Sequence, residues 1–167
     1  MAIDEALIAA LEAERGVEHV EELGEITAVL IRRYAAAIGE TSPLYSDSVY
    51  ARAQGHADVL APPNLIAAVI NWGPGAPYER LREDGTEADT HLPGVPAKGV
   101  RVMGGGEEMT FMRPVVAGTV VTRTTTLADV SERESSQGLM LVVHYSDHYR
   151  DAAGDSLLET VRTVLLR

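Results

Sequence analysis

Residues 64–72, Asn-Leu-Ile-Ala-Ala-Val-Ile-Asn-Trp, are apolar on nearly every face of a helix. They follow Pro62-Pro63, and proline suits a first helical turn because its missing N–H and fixed φ cost little there. A helix without a polar stripe has to be enclosed. The rest of the chain must therefore supply a surface that wraps it, and that surface is encoded after residue 100. Segments 100–112, 118–131, 138–150 and 156–166 are enriched in Val, Thr, Tyr and Leu, and are divided by Arg113-Pro114, Ser135-Ser136-Gln137-Gly138 and Ala153-Gly154-Asp155. Each segment reads as a strand and each divider as a turn. The expected fold class is α+β, with an antiparallel sheet wrapped around a central buried helix.

The region before that helix is helical. Ile3, Leu7, Ile8 and Leu11 recur at helical spacing before Gly16, which predicts an N-terminal helical extension within residues 1–16. Val29, Leu30, Ile31, Tyr34, Ala35 and Ile38 predict a second helix, capped by Thr27 and ended by Gly39, which delivers Glu40 into a loop. Asp47 is placed to cap a third helix over 48–54, with Tyr50 packing it against the sheet. A further short strand is expected before Thr27 or near Val59-Leu60. Residues 73–99 are rich in Gly, Pro and charge and read as a long loop with a turn of helix around Tyr78 to Arg82. With no repeat or linker, residues 1–167 are read as a single domain.

Composition narrows the function. A formal charge of −11 disfavours nucleic acid, whose binding needs Lys and Arg against phosphates. No apolar run approaches the roughly 18 residues of a membrane span, and Asp4-Glu5 stand where a secretory signal would carry basic residues. The absence of cysteine excludes disulfides and thiolate metal sites, and a cytoplasmic location is expected. His19, His56, His91, His144 and His148 have no metal-binding spacing on a helix, so no metal is expected. His144 and His148 fall on one strand face about 13 Å apart and read as surface or interface groups; His56 is the histidine nearest the loop. Gly104-Gly105-Gly106 reads as a bulge or a close backbone approach, since no Lys-Ser or Lys-Thr follows it.

The stretch from Tyr34 to Ala51, followed by Ala61-Pro62-Pro63-Asn64, resembles the signature of the MaoC-like, or type 2, enoyl-CoA hydratases. In that family a helix ends in Gly-Asp-x-Asn-Pro-(Ile/Leu)-His-x-Asp-x-x-(Tyr/Phe)-Ala. The match holds at Gly39, Pro43, Leu44, Asp47, Tyr50 and Ala51. It departs at three positions: Glu40 stands for the catalytic aspartate, Ser42 for the asparagine and Tyr45 for the catalytic histidine. Residues 107–119, with Arg113-Pro114 and Gly118, are similar to a hairpin of the N-terminal MaoC dehydratase (FAS1-like dehydratase) domains. The resemblance spans roughly residues 20 to 167 and implies the hot-dog architecture, which coincides with the expected layering.

In complete members the aspartate and histidine hold the water that adds across the 2,3 double bond of an enoyl-CoA. Histidine, with a reference pKa of about 6.5, suits that work; tyrosine, at about 10, is a poor base. The extra methylene of Glu40 shifts its carboxylate, and a 1 Å displacement costs about 100-fold in a positioned reaction. Pro62 and Pro63 cannot offer N–H groups to a thioester oxygen. The chain is therefore expected to lack its own water-activating dyad, with Glu40 and Tyr45 as its degenerate positions and Pro63, Asn64 and Trp72 as candidate substrate-binding residues.

The resemblance implies a non-catalytic, acyl-pocket-forming subunit of a heteromeric 2-enoyl-CoA hydratase or 3-hydroxyacyl-CoA dehydratase, paired with a catalytic MaoC-like hot-dog subunit. A break of the central helix at Gly73-Pro74 would widen the pocket towards a bulky, steroid-derived or long acyl group. The alternatives are a self-sufficient homodimeric hydratase or hot-dog thioesterase using Glu40, and an acyl-CoA binding or scaffolding module. No cofactor is expected beyond the coenzyme A of the substrate, whose phosphates would call on Lys98, Arg101 or Arg113.

Overall fold

Antiparallel pairing joins five strands in the order β1-β3-β4-β5-β2. These are β1 (Glu18–Glu25), β2 (Val102–Phe111), β3 (Val120–Ser135), β4 (Gly138–Asp151) and β5 (Ser156–Leu166). The computed structural model describes residues 3, 5–68, 77–81, 83, 85, 92–96, 99–135 and 138–167. The four strands expected after residue 100 are all present. The strand expected before Thr27 is β1, whose four glutamates in eight residues obscure any strand pattern. It lies at an edge of the sheet, where charged side chains discourage further pairing. Near Val59-Leu60 only a single bridge forms, between Leu60 and Val116.

Local capping sets the helices. In α1 (Glu5–Glu14) Leu7 and Leu11 are buried. Thr27 starts α2 (Ala28–Ala37) by accepting the Leu30 N–H, and Gly39, at φ +72°, turns the chain out of it. Asp47 accepts the Val49 and Tyr50 N–H groups at the start of α3 (Ser48–Ala53). The buried residue of α3 is Ala51, and Tyr50 is 42% exposed. Tyr50 therefore does not pack this helix onto the sheet: neighbouring helical residues point about 100° apart, and Ala51 takes the inward direction. Of the central helix, α4 (Leu65–Ala68) is described, with Leu65 and Ile66 buried. Trp72, the Gly73-Pro74 break, His91 and Lys98 lie outside the described residues. A 3-10 turn covers Tyr78–Arg80, as expected.

Among the described residues the core has two parts. One packs Ile31 of α2 and Leu65 and Ile66 of α4 against Leu23, Val121 and Leu158. The other packs Leu7 and Leu11 of α1 against Leu127, Leu141, Val143 and Leu166. The N-terminal helix is thus built into the core. Truncating such a buried leucine to alanine typically costs about 2–5 kcal/mol.

Between the two cores a polar belt crosses the inner face of the sheet. Thr125 on β3, Asp147 on β4 and Thr160 on β5 stand directly opposite one another. Asp147 is fully buried and accepts from both threonine hydroxyls and from Arg162, whose Nε and Nη2 lie 2.6 and 3.0 Å from its two oxygens. Arg123 continues the belt on β3 and donates to Glu21 of β1 at 2.6 Å.

The triple glycine is a bulge between Gly104 and Gly106 facing β5, as expected. A Cβ at Gly105 would lie 2.8 Å from Cγ2 and 3.1 Å from the carbonyl oxygen of Thr163, whereas one at Gly104 would meet nothing within 4 Å. Gly105→Ala is accordingly predicted to destabilise the fold by about 1–3 kcal/mol in urea unfolding, and Gly104→Ala by less than about 0.5 kcal/mol. Equal effects at the two positions would contradict the close approach.

Candidate functional site

After Gly39 the chain spends its polar groups on its own backbone. Glu40 Oε1 accepts the N–H groups of Thr41 and Ser42, both at 2.9 Å. Ser42 Oγ accepts the Leu44 N–H and starts a 3-10 turn over Pro43–Tyr45. Glu40 is exposed and forms no part of the neighbouring cleft wall. Tyr45, five residues on, is half-buried and does line it. The loop thus separates Glu40 from Tyr45, the two residues expected from the sequence to occupy the dyad positions.

The cleft has a volume of about 440 Å³. Its walls are held by backbone bonds between distant segments: Leu60 N–H to Leu44 O at 2.9 Å, Ala61 N–H to Val115 O at 2.8 Å, and Met112 N–H to Leu157 O at 3.0 Å. These bring Leu60, Pro62, Pro63 and Ile66 opposite Phe111, Met112 and Leu157. Pro63, which the sequence offered as a candidate substrate contact, lies in the cleft wall. Asn64 is exposed beside it, with its carbonyl taken by the Ala68 N–H at 2.9 Å. The Leu65 N–H is bonded to Pro62 O at 2.8 Å. With two prolines preceding it, Asn64 is the first residue of this turn to carry an N–H.

Among the described residues the wall is apolar except for the Tyr45 phenol and Arg113. Arg113 is anchored by Asp151 and by Asp155, the latter at 3.0 Å. Among the described residues, no histidine, aspartate or glutamate lines the cleft. His56 and Arg101 are not in its wall, and the Arg101 backbone pairs with Arg167. Such a site can enclose an apolar acyl body, donate one phenolic hydrogen bond and set a cation at its rim. Among the described residues it has no group suited to taking a proton from water. Phe111 and Met112, about half exposed at the end of β2, escaped the sequence reading; their position just before Arg113-Pro114 was the signal.

His144 and His148 lie on the outer face of β4, near Asp129 at 3.9 Å and Glu159 at 3.6 Å respectively. Among the described residues, no three acidic or histidine side chains converge on a point that would hold a metal ion, and no helix is long and apolar enough to cross a membrane.

Two tyrosines on the inner face carry the strongest electrostatic signature. Tyr145 is fully buried and donates to Pro93 O at 2.7 Å. Burial pushes its phenol well above the ordinary value, against the opposing pull of the Arg162 guanidinium. Tyr149 is raised chiefly by burial as well. Both phenols ionise near pH 10 in the unfolded chain and later in the folded one, so above that pH the unfolded state binds fewer protons and stability falls. Their contribution is complete below about pH 10 and is lost as pH rises through the folded values. The urea midpoint should therefore hold between about pH 8 and 9.5 and decline above about pH 10, with a shallower decline in Tyr145→Phe and Tyr149→Phe. A slope unchanged by both substitutions would contradict this assignment.

An antiparallel sheet with helices against its inner face, and a cleft at the start of the central helix, defines a hot-dog protein. A family model described as FAS1-like, dehydratase domain region, matches residues 13–160. The chain belongs to this MaoC-like dehydratase family. A UPF0336 protein of Thermobifida fusca is 30% identical over 143 residues, covering 86% of this chain and 84% of that protein. Among solved structures, a chain of the ChsH1-ChsH2 complex from Mycobacterium tuberculosis matches with a TM-score of 0.69 and 22% identity, over 96% of this chain and 93% of that one. A MaoC-like dehydratase from Rhodospirillum rubrum matches at 0.61 and 16%, over 90% of each chain. A chain of the C-terminally truncated HadBC (3R-hydroxyacyl-ACP dehydratase) complex from Mycobacterium tuberculosis matches at 0.63 and 15%, over 91% of this chain and 96% of that one. At these identities the structural likeness is one of fold.

Proposed function

We propose that this chain is the non-catalytic, acyl-pocket-forming subunit of a heteromeric 2-enoyl-CoA hydratase or 3-hydroxyacyl-CoA dehydratase. The observation that carries the reading is a cleft of about 440 Å³ whose wall is built for an apolar group and, among the described residues, holds no carboxylate or imidazole. That volume falls in the range of roughly 300–1,000 Å³ typical of small-molecule sites, which suits a long or bulky acyl group. Glu40 directs one carboxylate oxygen to its own loop, which argues against its activating a water in the cleft. Membership of a dehydratase family supports the reaction class. Two structural neighbours being complexes of unlike subunits supports the heteromer, in which a partner supplies the aspartate and histidine. The exposed Phe111 and Met112 at the β2 edge are apolar surface that such a partner would cover.

Enoyl-CoA hydration, followed at the absorbance of the conjugated thioester, tests the proposal with the purified chain alone and with a co-purified MaoC-like chain that carries the aspartate and histidine. Turnover is expected only in the complex, and Glu40→Gln should change it by less than about twofold, because general acid–base groups contribute on the order of 100-fold or more. Turnover by the chain alone that falls about 100-fold in Glu40→Gln would return catalysis to this chain. Tight acyl-CoA binding without turnover in the complex would identify a binding module instead.

A further inference from the structure

The cleft wall turns a corner at Arg113-Pro114, just after the end of β2. Backbone bonds fix it on either side: the Met112 N–H reaches Leu157 O at 3.0 Å, and the Ala61 N–H reaches Val115 O at 2.8 Å. Pro114 has no N–H to offer between them. At this point the Arg113 side chain supplies a further tie, crossing to the turn between β4 and β5.

Asp151 organises that turn with one oxygen and holds Arg113 with the other. Its Oδ1 accepts the N–H groups of Ala153 and Asp155, both at 3.0 Å, while its Oδ2 accepts from Arg113 Nη2. The Asp151 N–H donates to Asp155 O at 3.1 Å and the Gly154 N–H to Asp151 O at 2.9 Å, so the turn is braced independently of Arg113. Asp155 Oδ2 lies 3.0 Å from Arg113 Nη1. One guanidinium thus spans two carboxylates on a braced turn, and such a network is worth more than an isolated surface pair. An anion that reached Arg113 would meet both carboxylates at close range and be repelled by them. We propose, resting on the acyl-pocket reading of this cleft, that Arg113 is a positioning residue. Through Asp151 it holds the corner at residues 112–115 in place, and it does not bind the anionic group of the ligand.

Two ligands with one acyl chain separate these roles: decanoyl-CoA, and the decanoyl thioester of N-acetylcysteamine, which has no phosphates. Titration calorimetry on the purified full chain gives their affinities, and methyl shifts of Met112 and Val115 report entry into the cleft. Arg113→Gln is expected to weaken both thioesters about fivefold or more, by factors that agree within about twofold. Asp151→Asn keeps an oxygen for the Ala153 and Asp155 N–H groups but removes the acceptor of Arg113, and should weaken both ligands to the same extent. The double variant should bind no more weakly than either single one, because the two residues act as a unit. Thermal melts establish that each variant is folded; if Asp151→Asn is not, the ratio between the two ligands in Arg113→Gln decides alone. A loss in Arg113→Gln confined to decanoyl-CoA would make Arg113 an anion anchor and overturn the proposal. Unchanged binding of both ligands in that variant, or losses that multiply in the double variant, would overturn it as well. A wild-type chain that binds neither thioester, or whose Met112 and Val115 signals stay unmoved, would instead remove the acyl-pocket reading itself, and the role of Arg113 with it.

Discussion

A carboxylate without solvent contact sits at the centre of the sheet, and the arrangement of the three long strands depends on keeping it matched. Taking a charge such as Asp147 out of water costs several kcal/mol, which is offset only when its oxygens are nearly saturated with donors. Two threonine hydroxyls and two guanidinium N–H groups do this, from the strands on either side. Side chains alternate between faces along a strand, so a slip of one residue in β3 or β5 would turn Thr125 or Thr160 to the outer face. The buried charge would then lose its partners, at a typical cost of about 3–5 kcal/mol. The belt therefore acts as a register lock as much as a source of stability.

A charged belt cannot be covered by leucine and valine without leaving polar atoms unmatched. Among the described residues the hydrophobic cover accordingly falls into two parts, α2 and α4 in one and α1 in the other. The apolar cleft lies at the open end of the first core, where the α4 start meets the end of β2. Its chemistry follows from what surrounds it. The loop between α2 and α3 uses Glu40, Ser42 and Asp47 to satisfy backbone N–H groups, so these side chains hold the loop in shape around Tyr45.

Much of this was legible from residues. The long strands announce themselves through Val and Thr enrichment between turn signals, and the caps at Thr27 and Asp47 through the residue types that accept helix N–H groups. Tyr45 and Pro63, both in the cleft wall, were singled out because a short motif and a proline pair mark a loop and a helix start. The belt was not legible. Alternation along β4 puts Asp147 on one face with Tyr145 and Tyr149, but an Asp in a half-solvated strand reads as outward-facing, and only the three-dimensional register sets Thr125 and Thr160 opposite it. Phe111 and Met112 were missed for a different reason: their one local signal, the Arg113-Pro114 that follows them, reads as a turn, and a cleft wall assembled from segments some fifty residues apart shows itself only in three dimensions. The packing of Tyr50 was misjudged because a six-residue helix has room for one inward position, and Ala51 holds it.

The central claim is that this chain encloses the acyl group without activating the water, and light-induced crosslinking tests it most directly. An enoyl-CoA carrying a diazirine on its acyl chain would be bound to the assembled heteromer, irradiated, and the labelled peptides mapped by mass spectrometry. The account predicts label on this chain within residues 60–66 and 111–115. Label confined to the catalytic partner would contradict it, because the acyl group would then be enclosed without this cleft.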